Sequence, residues 1–134
     1  MDCELCDSAT QEVLWHDDFC RIVLAGEPAY PGFCRVILKK HMSEMTDLTP
    51  PERTRLMNAV FGMEAVLREV LAPDKINLAS LGNVVPHLHW HVIPRYRDDR
   101  HFPDPIWAEA RRRPAARAEP DIHRLASALK HRLG

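Results

Sequence analysis

Three histidines stand two residues apart in His87-Leu88-His89-Trp90-His91-Val92-Ile93, with an apolar residue in each gap. A repeat of two is the repeat of a β-strand, whose successive side chains point to opposite faces. On that reading His87, His89 and His91 share one face, and Leu88, Trp90 and Val92 share the other. The apolar face can bury against a core. The histidine face offers imidazoles, whose ordinary pKa lies near neutrality and which serve as nucleophiles, proton carriers or metal ligands. Along an extended strand His87 and His91 stand roughly 13 Å apart. Zinc–nitrogen bonds are about 2.1 Å long, so one ion does not easily hold all three. A row of polar groups along an extended anion suits the spacing better. The alternative is a solvent-facing polar strand that happens to be rich in histidine.

The elements that must position these residues follow from local pattern. Val13–His16 and Cys20–Leu24 read as strands joined by the polar turn Asp17-Asp18, residues 26–32 as a Gly/Pro loop, and 33–38 as a third strand. A helix then starts at a marked boundary: Thr49 caps it, Pro50 takes the first helical position, and Glu52 completes a capping box. Leu56, Val60, Met63, Leu67 and Leu71 recur at helical spacing as its buried stripe, and Pro73 ends it. Residues 75–81 read as a fourth strand, 82–86 as a turn and 87–93 as a fifth. Strands joined by a short turn are most simply antiparallel neighbours. From about residue 106 the chain is a tail with a weaker pattern, in which Ile122, Leu125, Leu129 and Leu133 suggest a short helix.

With 134 residues, 46% of them hydrophobic, the chain reads as one domain with a sizeable core, and its formal net charge of -1 argues for neither nucleic acid nor a membrane surface. The acidic start Met1-Asp2-Cys3-Glu4 has no apolar run after it, so it does not read as a signal peptide. No window approaches the roughly 20 apolar residues of a membrane span. The four cysteines then point to a reducing cytoplasm. Cys20 and Cys34 lie in strands and read as core. Cys3 and Cys6 form Cys-x-x-Cys, either half of a zinc site or an inert or redox-active terminal pair.

The segment 87–93 resembles the signature of the histidine triad (HIT) family of nucleotide hydrolases and transferases. The likeness extends to Gly82-Asn83 before the triad, to Lys39-Lys40-His41 with residues 43–48, and to Pro31-Gly32, covering roughly residues 3 to 105. It implies an α+β fold: a five-stranded antiparallel sheet with one long helix and a shorter one, usually paired as a homodimer. It also implies a reaction on a purine nucleotide. His89 attacks the α-phosphorus and forms a nucleotidyl-histidine, flanked by His87 and His91, and water releases the monophosphate. The chemistry is sound in itself, because a neutral imidazole is a good nucleophile if its other nitrogen is held by a hydrogen bond. Developing phosphate charge needs donors, which Asn83, amides of the 82–86 turn, a protonated His91 and Asn77 can supply. Both asparagines also suit plain turn or edge hydrogen bonding.

Some bacterial members resemble this chain in opening with Cys-x-x-Cys, and there the likeness implies a structural zinc site of Cys3, Cys6, His41 and His87. The chain departs from the family at Val84, where a hydroxyl is common, and at Ala25, near a ribose-binding position. The departures leave the reaction type in place and the substrate open among phosphoramidates, acyl-adenylates and dinucleoside polyphosphates. A nucleotidyltransferase or phosphorylase, and a non-catalytic nucleotide- or zinc-binding module, are the alternatives. Arg111-Arg112-Arg113 and Arg117 read as solvated surface, Arg95 as a residue near a polyphosphate, and His16, His101, His123 and His131 as surface. Trp107 and Phe102 suit a base, a partner subunit or the core equally.

Overall fold

Apolar runs between short polar turns build one sheet, and the longest helical stripe covers one of its faces. The computed structural model describes residues 3–6 and 11–134. Met1 and Asp2, part of the acidic start read above, lie outside the described residues. The order is β1 (Val13–His16), β2 (Cys20–Leu24), β3 (Cys34–Leu38), α1 (Pro50–Leu71), β4 (Lys75–Ala79), β5 (His89–Arg95) and α2 (Ile122–Leu133), with single 3-10 turns at Glu4–Cys6 and Met45–Asp47. The five strands lie in the order β1-β2-β3-β5-β4, every pair antiparallel. This is the α+β architecture expected, with one long helix and one shorter.

The start of α1 is the one its sequence marks. Thr49 Oγ1 accepts from the Glu52 amide at 3.3 Å, and Glu52 Oε1 accepts from the Thr49 amide at 2.8 Å. Leu56, Val60, Met63 and Leu67 are fully buried, against Ile22, Val36, Leu38 and Val92 from one face of the sheet. Leu71, at the end of the stripe, is half-buried. In α2, Leu125 and Leu129 enter the same core, and Leu133 lies over Gly62, where an added Cβ would stand 2.7 Å from Leu133 Cδ2. No helix among the described residues is long and apolar enough to cross a membrane.

The strand boundaries differ from expectation where they matter most. β3 opens at Cys34 rather than at residue 33, β4 stops at Ala79 rather than 81, and β5 runs from His89 to Arg95 rather than over 87–93. The cause is local hydrogen bonding. Ser80 Oγ donates to the His89 carbonyl at 2.7 Å, so a side chain takes the place of the next backbone rung. The Leu88 amide donates to the Met42 carbonyl at 2.6 Å, which draws the chain toward the segment after β3. His87 therefore precedes the strand, and only His89 and His91 stand within it.

Candidate active site

In an antiparallel pair, directly opposed residues share a face. Register sets His89 opposite Ile37 and His91 opposite Arg35, on the sheet face turned away from α1. Both histidines are buried, at 7% and 6% exposure. His89 Nδ1 lies 2.6 Å from the carbonyl oxygen of His87. A neutral ring donates its Nδ1–H there and keeps a lone pair on Nε2. Burial lowers the pKa of His89, the bond to His87 opposes that shift, and the Arg35 charge adds to it. His91 is pushed down to about 4 by burial, His89 and Arg35. These effects favour its neutral form at pH 7, against the protonated His91 that the sequence suggests. Its ring meets His89 edge-on at 4.9 Å and Trp107 at 5.1 Å, and lies 5.6 Å from Phe33. Its Nδ1 is buried with no hydrogen-bond partner among the described residues.

His87 serves a different neighbourhood. It is fully buried, and its Nε2 lies 2.6 Å from the Leu38 carbonyl, so the N–H belongs there and the lone pair is on Nδ1. That Nδ1 is 3.4 Å from Cys3 Sγ, 3.3 Å from Cys6 Sγ and 3.1 Å from His41 Nδ1. The four ligand atoms all lie within 4.8 Å of one another and can hold a metal ion. Ligands of one tetrahedral ion stand about 3.4–3.8 Å apart, given bonds of ~2.1 Å to nitrogen and ~2.3 Å to sulfur. A ligand histidine whose other nitrogen donates to a carbonyl is the usual outer-shell arrangement. The Glu4–Cys6 turn is pinned beside this cluster as Leu5 packs on Val23 and Ile37.

Other expected residues lie elsewhere. Asn83 is exposed in the turn before His87, and Asn77 Oδ1 accepts from Arg95 Nη1 at 2.7 Å. Neither is hydrogen-bonded to the triad. Arg95 is not free for a polyphosphate: it is 2% exposed and forms a two-pronged pair with Asp99 at 2.8 and 3.1 Å. Burial would raise the Asp99 carboxyl, but Arg95 and the amides of Tyr96, His101 and Phe102 outweigh it and hold it at about 2. His101 is buried rather than on the surface, with Nδ1 2.5 Å from the Tyr30 hydroxyl. The arginine run is exposed but tied inward, because Arg111 pairs with Asp104 and Arg112 donates to the Asp99 and Phe102 carbonyls. This network lays the segment after β5 across the histidine face and sets the half-exposed Trp107 on His91. Arg35 escaped the sequence reading. Its signal was present: an arginine inside the apolar run Cys34-Arg35-Val36-Ile37-Leu38, on the parity opposite the core residues.

The HIT domain family model matches residues 7–98. The chain belongs to the HIT domain family. It is 32% identical over 88 residues to an asymmetrical bis(5'-nucleosyl)-tetraphosphatase of Schizosaccharomyces pombe, covering 62% of this chain and 48% of that protein. It is 26% identical over 142 residues to the adenylylsulfatase HINT3 of Arabidopsis thaliana, covering 98% and 70%. A crystal structure of a histidine triad protein from Bradyrhizobium japonicum superposes with a TM-score of 0.74 at 26% identity, over 92% and 91% of the two chains. This HIT domain spans about half the length of the yeast nucleotide hydrolases it matches.

Proposed function

We propose that this HIT domain is a nucleotide hydrolase that cleaves at the α-phosphorus of a purine nucleotide through a nucleotidyl-His89 intermediate. The observation that carries the reading is the His89 ring, fixed through Nδ1 to the His87 carbonyl with Nε2 unprotonated. Nε2 forms a bond to phosphorus as the bond to the leaving group breaks, and the developing positive charge rests on a ring already bonded to a carbonyl. Water then attacks phosphorus, the P–N bond breaks, and the nucleoside monophosphate leaves. His91 lines the phosphate and limits access of water. The similarity to nucleotide-cleaving relatives supports the reading.

Cys3, Cys6, His41 and His87 would hold a zinc ion as a structural staple; thiolates with imidazoles are a set that zinc favours. The ion would tie the N-terminal turn to the sheet and leave His89 the chemistry. The active form would be a single-domain homodimer in a reducing compartment such as the cytoplasm, where its thiols persist.

The test is a panel of adenosine and guanosine phosphoramidates, acyl-adenylates and dinucleoside polyphosphates, with products identified and the protein trapped in acid quench. Wild type should release monophosphate and carry a nucleotidyl adduct on His89. Release of no monophosphate from any substrate sinks the reading, and so does turnover that persists in His89→Ala.

A further inference from the structure

We propose that Arg35 binds the leaving group, so that the site favours nucleotides whose α-phosphorus bears an anionic oxygen leaving group, a phosphate chain or a sulfate, over those bearing an amine. The inference rests on His89 acting as the nucleophile. Register sets Arg35 directly opposite His91, and its guanidinium lies 5.4 Å from the ring centre of Phe33, which itself touches His91. Arg35 is half-buried, and among the described residues it has no hydrogen bond or ion pair. Glu4 and Glu27 act on it only at a distance, and both are exposed. The two buried arginines differ: Arg95 is paired with Asp99, and Arg21 donates to Gln11 and to the Leu5 carbonyl. A half-buried guanidinium with no ion-pair partner among the described residues, next to two imidazoles, is costly in the free protein. An anion between Arg35 and the histidines removes that cost.

The chemistry gives the anion its place. As His89 Nε2 bonds to phosphorus, the bond from phosphorus to the leaving group breaks and its electron pair goes to the leaving atom. A phosphate or sulfate oxygen accepts that pair without a proton. An amine must be protonated to leave. His91, held down to about 4, has no proton to give at pH 7. Arg35 supplies charge and never a proton. In the second half-reaction water adds to phosphorus, the P–N pair returns to Nε2, and the proton from water goes to solvent.

The test compares kcat and KM of wild type, Arg35→Gln and Arg35→Lys on diadenosine tetraphosphate, adenylyl sulfate and adenosine 5′-phosphoramidate. Arg35→Gln should lose roughly 10- to 100-fold in kcat/KM on the anionic leaving groups, mostly in kcat, with a loss at least about tenfold smaller on the phosphoramidate. Arg35→Lys should recover part of it. A loss confined to the tetraphosphate assigns Arg35 to a phosphate chain, and one confined to the sulfate assigns it to sulfate. Equal losses on all three substrates, or losses under about threefold on both anionic ones, overturn the proposal. Calorimetry on a His89→Asn background separates this from a failure of the hydrolase reading. There Arg35→Gln should weaken ATP binding about tenfold and AMP binding far less. If ATP and AMP are weakened alike, or not at all, the arginine is not a leaving-group site, whatever wild type turns over.

Discussion

His87 and His89 are two residues apart and use opposite ring nitrogens. His87 anchors Nε2 on the Leu38 carbonyl and turns Nδ1 to two thiols and an imidazole. His89 anchors Nδ1 on the His87 carbonyl, which leaves the lone pair to Nε2, the nitrogen proposed to attack phosphorus. In each case one backbone carbonyl selects the tautomer, and the tautomer selects the task. One region is built to be held and the other is the one proposed to react, although residue type and spacing are the same. The backbone bend at His87, just before β5, separates them.

The largest effect should come from breaking the reactive side alone. His89→Asn is expected to lower kcat by about 10⁴-fold or more while Tm stays within a few degrees of wild type. A rate loss below about a hundredfold would mean that His89 is not the nucleophile. Breaking the held side should do the reverse. Cys3→Ser should lose bound zinc and drop Tm by roughly 10 °C or more, with a rate change far smaller than that of His89→Asn. Equal metal content in mutant and wild type by elemental analysis would end the zinc reading.

The polar network that lays Trp107 on His91 offers a third point of comparison. Asp99→Asn leaves the buried Arg95 without its carboxylate and should cost about 3 kcal/mol in urea unfolding. Because the Asp99 carboxyl is held at about 2, below the ordinary carboxylate range, its contribution is complete above roughly pH 4 and fades as pH falls toward 2. Wild type should therefore lose more stability than Asp99→Asn between pH 5 and 2; parallel curves would refute the pairing. The smallest effect tunes the reactive side. Ser80→Ala removes the hydroxyl on the His89 carbonyl and should cost about 1 kcal/mol, with kcat falling only a few-fold. An unchanged unfolding midpoint would show that this bond contributes nothing.

Much of this was legible in the chain because it is local. The Thr49-Pro50-Glu52 start of α1, the stripe from Leu56 to Leu67, and the parity of His89 and His91 each depend on neighbours a few residues away. The metal set was legible only through family resemblance, since no periodicity links Cys3 to His87. What stayed hidden depends on partners distant in sequence. The start of β5 is decided by Met42 and Ser80, which no pattern within 87–93 reveals. Arg95 reads as a polyphosphate contact and His101 as a surface residue until Asp99 and Tyr30 are set beside them. Arg35 gains meaning only when register places it across from His91.

The seam between β3 and β5 also bears on the order of assembly. β1, β2 and β3 follow one another through short connections, and β4 meets β5 through a single loop, so each group closes locally. The seam that joins the groups has α1 and β4 between its two strands in sequence, and closing so long a loop is entropically slow. Arg35 and His91 face each other across that seam, so the candidate site depends on closing it. Truncations at the seam, such as Val36→Ala and Val92→Ala, should mainly speed unfolding, while truncations within β1–β2 should slow folding; the opposite pattern in chevron plots would place the seam early.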